Sequence, residues 1–326
     1  MGPRSLEIPE SSGYNRIEVH CRSIRGCAAE DSGTSHRPAN RLLNDVFNIP
    51  NIIHQSWKDE RLPKKFRQWS HTWQIHNPHW TRYLWTDHDN DALCRRHFPW
   101  FHDKYLSLQG EIYRADVVRN MYLYLYGGVY SDLDVECLKP VDDLLDIIQS
   151  KRDDTYFSSQ TPPASFSSNS SSVIILGQME GAERGKHSIP NAWMASSPGH
   201  PFWLFMLFNA LKTSSENKEP EEKQFTKDAS RLYRDIRAAG VDVPSHIGET
   251  MQHDVIILSP HIVFPYSWMR TSTRDEVSKR CAFGMNTFDD KMCKDMLDLK
   301  KSHFITYWSH SWTKNGQSEE SIKKLS

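Results

Sequence analysis

The sequence lacks any apolar run long enough to cross a membrane. Its most apolar stretch, residues 202–211, has about ten residues, roughly half of what a transmembrane helix needs. The first residues contain no apolar signal core, and Leu6 stands where a myristoylation signal requires Ser or Thr. We therefore expect no integral membrane segment and a cytoplasmic protein. The alternative is that an N-terminal anchor precedes this sequence in the natural protein.

An excess of charge of one sign is also missing. The chain carries 40 Lys and Arg against 41 Asp and Glu, which gives a net charge of −1. Proteins that bind nucleic acid usually present a basic surface to its phosphates. The charge balance therefore predicts no nucleic-acid partner. It still allows a site for a diphosphate, because a bound metal ion supplies local positive charge.

Cysteine is scarce and irregularly spaced. None of the 6 cysteines falls into a zinc-binding pattern. Cys281 and Cys293 are close enough in sequence to close a loop in an oxidising compartment. Free thiols, as in a reducing cytosol, are the favoured expectation.

What the sequence does contain is an alternation of strand-like and helical segments. Short apolar runs rich in β-branched and aromatic residues predict strands, and apolar residues at helical spacing predict helices. The predicted strands are 49–57, 80–85 and 129–135, and the predicted helices are 64–76, 89–98 and 111–126. This alternation predicts a single α/β domain at 46–315 with a mostly parallel sheet, flanked by tails at 1–45 and 316–326.

Two pairs of aspartates separated by one residue invite a metal-binding interpretation. Asp87-His88-Asp89 lacks the glycine and glutamate that a calcium loop would place after it, so an exposed helix start is predicted there. Asp132-Leu133-Asp134 instead follows a predicted strand, and ligands of parallel sheets bind at the carboxyl ends of strands. Mn²⁺ or Mg²⁺ often bridges one or two carboxylates to substrate phosphates.

The residues that precede Asp132-Leu133-Asp134 make this motif a more specific signal than two aspartates alone. Asp116 and Arg119 lie three residues apart on a predicted helix and therefore share one face. Gly127-Gly128 then ends the helix and is expected to let the backbone pass close to a ligand. Taken alone, Asp116 and Arg119 could form a simple surface ion pair. Beside the acidic pair, they favour a site for a metal-bound sugar phosphate.

This combination resembles glycosyltransferase family 32, and its sugar-binding region is similar to that of the clostridial glucosylating toxins. The resemblance covers residues 49–312, which is most of the chain. It is carried, in order, by residues 49–58, 77–80 with 84–87, 114–134, 191–196 and 198–202.

The resemblance implies a GT-A fold, a retaining mechanism and a set of site residues. Asp132 and Asp134 would bind Mn²⁺ or Mg²⁺ and take part in catalysis, with Asp134 as the firmer ligand. Asn191 would lie near the reacting centre, and Trp57 would stack on or near the nucleotide base. The other residues implied to bind substrate are Ser56, Asp116, Arg119, Tyr130, Ser311 and Trp312.

The chain departs from the family pattern at two places. Residues 247–249 (Ile-Gly-Glu) stand where the family commonly has Thr-Gly-Pro, and the closing segment at 306–312 lacks the usual paired histidines. That end often completes the metal and diphosphate site. His310 and Ser311 are the candidates to complete it here.

The resemblance implies transfer of a hexose from a UDP- or GDP-sugar to a hydroxyl acceptor. Two acceptor classes stay open. A hydroxylated small molecule, such as a natural product, agrees with the absence of an anchor from the sequence. The resemblance to the family implies instead a glycan or sphingolipid acceptor in the Golgi lumen. An inactive domain that only binds nucleotide or glycan is the alternative of another class, and the intact Asp116, Arg119 and acidic pair argue against it.

Overall fold

A computed structural model describes residues 47–108, 111–157, 172–180, 187–213, 244–246, 252–259, 261–267, 276–282 and 287–309. The tails expected at 1–45 and 316–326 and the departure at 247–249 lie outside these residues. In chain order the elements are β1 (Ile52–Ser56), α1 (Lys64–His76), β2 (Thr81–Trp85), α2 (Asp87–His97), α3 (Pro99–Ser107), α4 (Glu111–Tyr126), β3 (Gly128–Ser131), β4 (Val135–Cys137), α5 (Val141–Phe157), β5 (Ser172–Gly177), β6 (Met179–Glu180), β7 (His187–Ser188), β8 (Trp193–Ser196), α6 (Pro201–Thr213), β9 (Pro244–His246), β10 (Gln252–Leu258), α7 (Glu276–Cys281), α8 (Asp290–Met296) and β11 (Phe304–Thr306).

The central sheet has seven strands in the order β2-β1-β3-β8-β5-β10-β9. β1 pairs in parallel with β2 and β3, and β5 pairs in parallel with β10. β8 runs antiparallel to both β3 and β5, and β9 runs antiparallel to β10. All strands of this sheet except β8 and β9 therefore point the same way. The predicted α/β class with a mostly parallel sheet is confirmed.

Helices cover both faces of this sheet. Successive residues of β5 alternate between two hydrophobic clusters, as the period of two along a strand requires: Val173 and Ile175 face one, Ile174 and Leu176 the other. The first cluster takes its apolar side chains from α1 and α5, and the second from α2, α3, α4 and α6.

Helix α4 ends as the sequence predicts, at two glycines with left-handed backbone angles. Gly127 has φ +63° and Gly128 has φ +87°. A Cβ on Gly127 would lie 2.7 Å from the Ser196 carbonyl oxygen, and one on Gly128 would lie 2.5 Å from the Ile52 carbonyl oxygen. The close approach is therefore to the neighbouring strands β8 and β1. The expectation that these glycines admit a ligand is wrong.

The segment expected to be one strand at 129–135 is divided. β3 ends at Ser131, and β4 begins at Val135 in a separate two-stranded sheet with β11. The chain turns between them, because the Val135 N–H donates to the Asp132 carbonyl oxygen. The acidic pair lies at the carboxyl end of β3, as predicted, but on a turn between two strands.

Cys281 and Cys293 form a disulfide that ties α7 to α8, with the two Cα atoms 4.9 Å apart. The favoured expectation of free thiols is therefore wrong for this pair. α7 and α8 pack against each other, which brings together two cysteines separated by 12 residues. Cys94 and Cys137 are free and buried, as expected of thiols that only pack.

Within the described residues, no helix combines the length and the apolar character that crossing a membrane requires.

Candidate active site

A cavity of about 240 Å³ opens at the carboxyl ends of β1 and β3. All the predicted site residues that lie within the described ranges line it, although they come from four separate stretches of the chain. They are Ser56, Trp57, Asp116, Arg119, Tyr130, Asp132, Asp134 and Asn191. His310, Ser311 and Trp312 lie outside the described residues.

Arg119 stands at the centre of a buried polar network. Its guanidinium lies 2.9 Å from an Asp116 carboxylate oxygen and 3.1 Å from Oδ1 of Asp132. It also donates to the backbone carbonyls of Ala115 at 3.2 Å and Asn191 at 3.0 Å. Asp116 and Arg119 are 6% and 3% exposed, so they form a buried pair and not the surface ion pair that was the alternative.

Arg119 also packs against an aromatic ring. Its guanidinium carbon lies 4.5 Å from the ring centroid of Tyr130, within the range of a cation–π contact. Because most of its donors are engaged by protein groups, Arg119 is held rigidly. The arrangement suits a residue that orients Asp116 and Asp132 as much as one that contacts a ligand.

Asp132 is held through one of its two oxygens. The Tyr130 hydroxyl donates to Oδ1 at 2.7 Å, and Arg119 approaches the same atom. The side chain remains 31% exposed and lines the cavity. Those two contacts leave Oδ2 to face a cation or a donor molecule.

Asp134 is fixed by the segment that follows β11. The Ser309 N–H donates to Oδ2 of Asp134 at 2.7 Å, and the Tyr307 N–H donates to its carbonyl oxygen at 2.9 Å. Trp308, between these two donors, has a φ of +45°, an unusual value for a residue with a side chain. Both Trp308 and Ser309 line the cavity. They belong to the closing segment at 306–312 that was expected to complete the site, but neither was among the candidates for that role.

Burial raises the pKa of all three carboxyl groups in the cavity, those of Asp116, Asp132 and Asp134. Burial raises the pKa of Asp132 to about 6, with Arg119 opposing the shift and Asp134 adding to it. Burial likewise raises the pKa of Asp116 to about 6, with Arg119 again opposing. The pKa of Asp134 is raised by burial against the stabilising N–H of Ser309. Three acids beside one guanidinium therefore leave the cavity with unbalanced negative charge that a cation would relieve.

Asn191 joins the same network. Its side-chain amide donates to Oδ1 of Asp116 at 3.1 Å, and its carbonyl accepts from Arg119. It is 3% exposed and lies two residues before β8. These contacts place Asn191 at the cavity wall beside Asp116, and its role near a reacting centre stays a prediction.

Ser56 and Trp57 form the wall at the end of β1. Trp57 is partly buried and makes an edge-to-face contact with Phe66, with ring centroids 5.2 Å apart. The Ser56 hydroxyl accepts from the Asn90 amide at 3.4 Å. Trp57 thus lines the cavity and also packs against the core, and its stacking on a nucleotide base stays a prediction.

The other aspartate pair also reaches the cavity through one member. α2 starts at Asp87, which confirms the predicted helix start, yet Asp87 is half-buried and lines the cavity, so it is not simply exposed. Burial raises its pKa to about 6, and the nearby Glu111 adds to the shift. Glu111 and Lys58 line the same part of the wall, and neither was among the predicted site residues.

Asp132 and Asp134 suit a hard divalent cation in the chemistry of their oxygens and in their unbalanced charge. Among the residues that the structure describes, no cluster of three or more His, Cys, Asp or Glu side chains is arranged to hold an ion. Mn²⁺ and Mg²⁺ commonly use one or two carboxylates and take their remaining ligands from water and phosphate. The two aspartates fit such a shared site.

A family model for glycosyltransferase sugar-binding regions containing a DXD motif matches residues 63–151. The match is confined to this part of the chain, which is similar to that family. The match includes α4 and the acidic pair, and the resemblance to glycosyltransferases identified in the sequence is confirmed.

Two curated relatives similar to the chain are named mannosyltransferases. The chain is 32% identical over 171 residues to inositol phosphoceramide mannosyltransferase 1 of Schizosaccharomyces pombe, covering 52% of this chain and 44% of the relative. It is 35% identical over 102 residues to the initiation-specific alpha-1,6-mannosyltransferase of Candida albicans, covering 29% and 26%. The chain thus spans less than half the length of these relatives. Among solved structures, PaToxG glycosyltransferase matches with a TM-score of 0.38 and 15% identity over 60% of this chain and 77% of that one.

Proposed function

We propose that this chain is a retaining glycosyltransferase that uses a divalent cation to move a hexose from a nucleotide sugar to a hydroxyl acceptor. The observation that carries the proposal is the acidic pair. Asp132 and Asp134 line one cavity, each is fixed through one oxygen, and the pair lies beside the buried Asp116–Arg119 network. Two carboxylates that face one cavity, with one guanidinium beside them, favour a site for a cation over a site for a neutral glycan alone.

Mannose is the donor sugar we propose first, because the relatives named above are mannosyltransferases. The cation would be Mn²⁺ or Mg²⁺, held by Asp132 and Asp134, and it would stabilise the negative charge that develops on the departing diphosphate. Asp116 and Asn191 would hold hydroxyls of the sugar. Arg119 would keep Asp116 and Asp132 in place through the contacts described above.

The proposed reaction needs no base from the protein. The bond between the anomeric carbon and the diphosphate oxygen breaks, and a bond from the same carbon to the acceptor oxygen forms on the same face. The acceptor hydroxyl gives its proton to the departing phosphate. The role of the protein is to orient the groups and exclude water, which can supply a large part of a rate enhancement.

For the acceptor, we propose a lipid-linked or glycan hydroxyl in an oxidising compartment. The names of the relatives include inositol phosphoceramide, and disulfides such as Cys281–Cys293 persist mainly in oxidising compartments. Both observations favour a secretory lumen over the cytoplasm that was first expected. They also favour these acceptors over a small natural product.

The deciding experiment is donor hydrolysis by the purified chain. GDP-mannose and UDP-glucose are supplied with Mn²⁺, with Mg²⁺ or with EDTA, and release of nucleoside diphosphate is measured. We expect release from GDP-mannose that EDTA abolishes and that Asp134→Asn lacks. Metal-independent binding of nucleotide sugar without any release would instead support the binding-only alternative.

A further inference from the structure

Helix α6 carries apolar side chains on all sides. Phe202, Trp203 and Leu207 are buried in the second hydrophobic cluster. Phe205 and Phe208 lie on the opposite side and are 42% and 49% exposed. A helix on a protein surface normally presents polar residues there, so this face of α6 calls for an apolar partner.

A second helix extends the same surface. Trp100, in the first turn of α3, is 46% exposed and stacks on Phe208, with ring centroids 5.0 Å apart and planes within 20°. We call Trp100, Phe205 and Phe208 the aromatic patch. Taking about 200 Å² for each aromatic side chain, the patch exposes roughly 300 Å² of ring surface.

Among the described residues that flank Trp100 in sequence, the exposed charged side chains are mostly cations. Residues 201–211 of α6 contain no charged side chain. Arg95 and Arg96 are exposed in the last turn of α2, which ends two residues before α3 begins. Lys104 lies in the last turn of α3, while Asp103 is the exposed acid on that helix. The other nearby acid, Asp91, is paired with His102 at 2.8 Å.

We propose that the aromatic patch docks on an anionic lipid surface, with its rings at the level of the headgroups and Arg95 and Arg96 against lipid phosphates. Trp and other amphipathic rings favour this boundary, and exposed cations add attraction that depends on anionic lipid. The net charge of −1 supplies no long-range attraction, so binding rests on this local surface. The site is separate from the cavity, and the proposal does not depend on the proposed reaction.

A second copy of the chain fits the aromatic patch less well. A stable dimer usually buries about 800 Å² on each partner, more than twice the ring surface available here. A lipid surface does not have this difficulty, because it needs only the rings, and it also offers phosphates to the guanidinium groups of Arg95 and Arg96.

The test is flotation of the purified full chain with vesicles. Vesicles of phosphatidylcholine alone are compared with vesicles that also contain phosphatidylserine. We expect binding to the anionic vesicles, weakened at least about tenfold by Trp100→Ala with Phe208→Ser, because two ring contacts are lost. Arg95→Glu with Arg96→Glu should lower binding to anionic vesicles specifically, and high salt should reproduce that loss.

Ile75→Ser is the matched control, because Ile75 is 59% exposed on α1 and lies outside the aromatic patch. It should leave vesicle binding unchanged. Each variant is also checked for thermal unfolding and for nucleotide-sugar binding, so that misfolding and failure of the cavity are recognised separately. The proposal is overturned if the wild-type chain does not float or if Ile75→Ser weakens binding as much as the patch variant. It is equally overturned if sedimentation shows that the patch variant abolishes a dimer.

Discussion

Asp89 completes a capping box at the start of α2, where its carboxylate accepts from the Thr86 N–H at 3.0 Å and from the Thr86 hydroxyl at 2.7 Å. Asp132, the first acid of the other Asp-x-Asp triplet, accepts instead from Tyr130 and Arg119 beside a cavity. The two triplets have the same spacing of aspartates, but one begins a helix and the other lies on a turn between two strands. The helix start satisfies Asp89 with local donors, whereas the turn leaves an oxygen of Asp132 for a ligand.

The comparison also shows what supplies specificity. Both triplets contain an acid whose pKa burial raises to about 6, Asp87 in the first and Asp132 in the second. Within the part of the chain that the structure describes, a buried guanidinium lies beside the second triplet alone, and that triplet alone accepts from a backbone donor of a distant segment, the N–H of Ser309. These two long-range contacts, more than the spacing of the acids, distinguish the candidate site from a helix cap.

The largest expected difference between the triplets is in catalysis. Asp134→Asn should lower kcat for metal-dependent donor hydrolysis by about 10²–10³-fold, as losses of charge stabilisation usually do. Asp89→Asn should leave kcat within about twofold, because its carboxylate serves the helix cap. Steady-state rates at saturating Mn²⁺ measure both. Equal losses in the two variants would contradict the assignment of the metal to the second triplet.

The next effect concerns the guanidinium that only the second triplet possesses. Arg119→Met should lower the free energy of unfolding by about 3–5 kcal/mol, because it leaves the buried Asp116 without its charged partner. Denaturant unfolding of the metal-free protein measures this loss. Arg114→Met is the control: Arg114 pairs with the exposed Glu111 on the same helix, and such pairs contribute about 1 kcal/mol or less.

The sequence predicted those parts of the fold that depend on local chemistry. α1 and α4 have the bounds expected from helical periodicity, because Pro78 and the Gly127-Gly128 pair end them in any context. The position of the acidic pair and the shared helix face of Asp116 and Arg119 were likewise predicted from neighbouring residues in the sequence. The strand expected at 129–135 failed as a single element, because pairing of β4 with β11 depends on residues far away in the chain.

Long-range contacts account for the other differences between the predictions from the sequence and the structure. Ser309 reaches Asp134 across a sequence separation of 175 residues, and no motif announces a backbone donor. The Cys281–Cys293 disulfide depends on the packing of α7 against α8, which periodicity does not reveal. Gly127 was interpreted as making room for a ligand, whereas it makes room for β8, because a glycine in sequence does not show which neighbour approaches it.

A smaller effect should appear in the pH dependence of the metal-free protein. The folded-state pKa of Asp132 is about 6, above the usual value of 3.8, so the folded state binds the proton more tightly than the unfolded state. The stabilising protonated form is therefore fully present below the unfolded pKa and is lost as the pH rises through about 6. Since the group is partly exposed, we expect Asp132→Asn to be about 1–2 kcal/mol more stable than wild type near neutral pH.

The quantity to compare is the free energy of unfolding of wild type and of Asp132→Asn. Its difference between the two proteins cancels the contributions of other titrating groups. His54, for example, is buried and its pKa is lowered to about 4, so it destabilises both proteins alike as the pH falls below its usual value. The advantage of Asp132→Asn should shrink as the pH falls below about 6 and vanish only below the unfolded pKa of 3.8, where the wild-type acid is protonated in both states. Saturating Mn²⁺ should reverse the sign near neutral pH, because only wild type then gains from the ion. An advantage independent of pH would count against a charge effect.

The smallest expected effect belongs to the first triplet. Asp89→Ala removes the acceptor for the Thr86 N–H and hydroxyl, and loss of such a cap should lower the free energy of unfolding by about 1 kcal/mol. Asp134→Ala, in contrast, should abolish the stabilisation by Mn²⁺, because it removes a carboxylate that we propose to bind the ion. Thermal unfolding with and without Mn²⁺ separates the two. If Mn²⁺ stabilises Asp89→Ala as strongly as wild type and leaves Asp134→Ala unchanged, the ion belongs to the second triplet and the first is a helix cap.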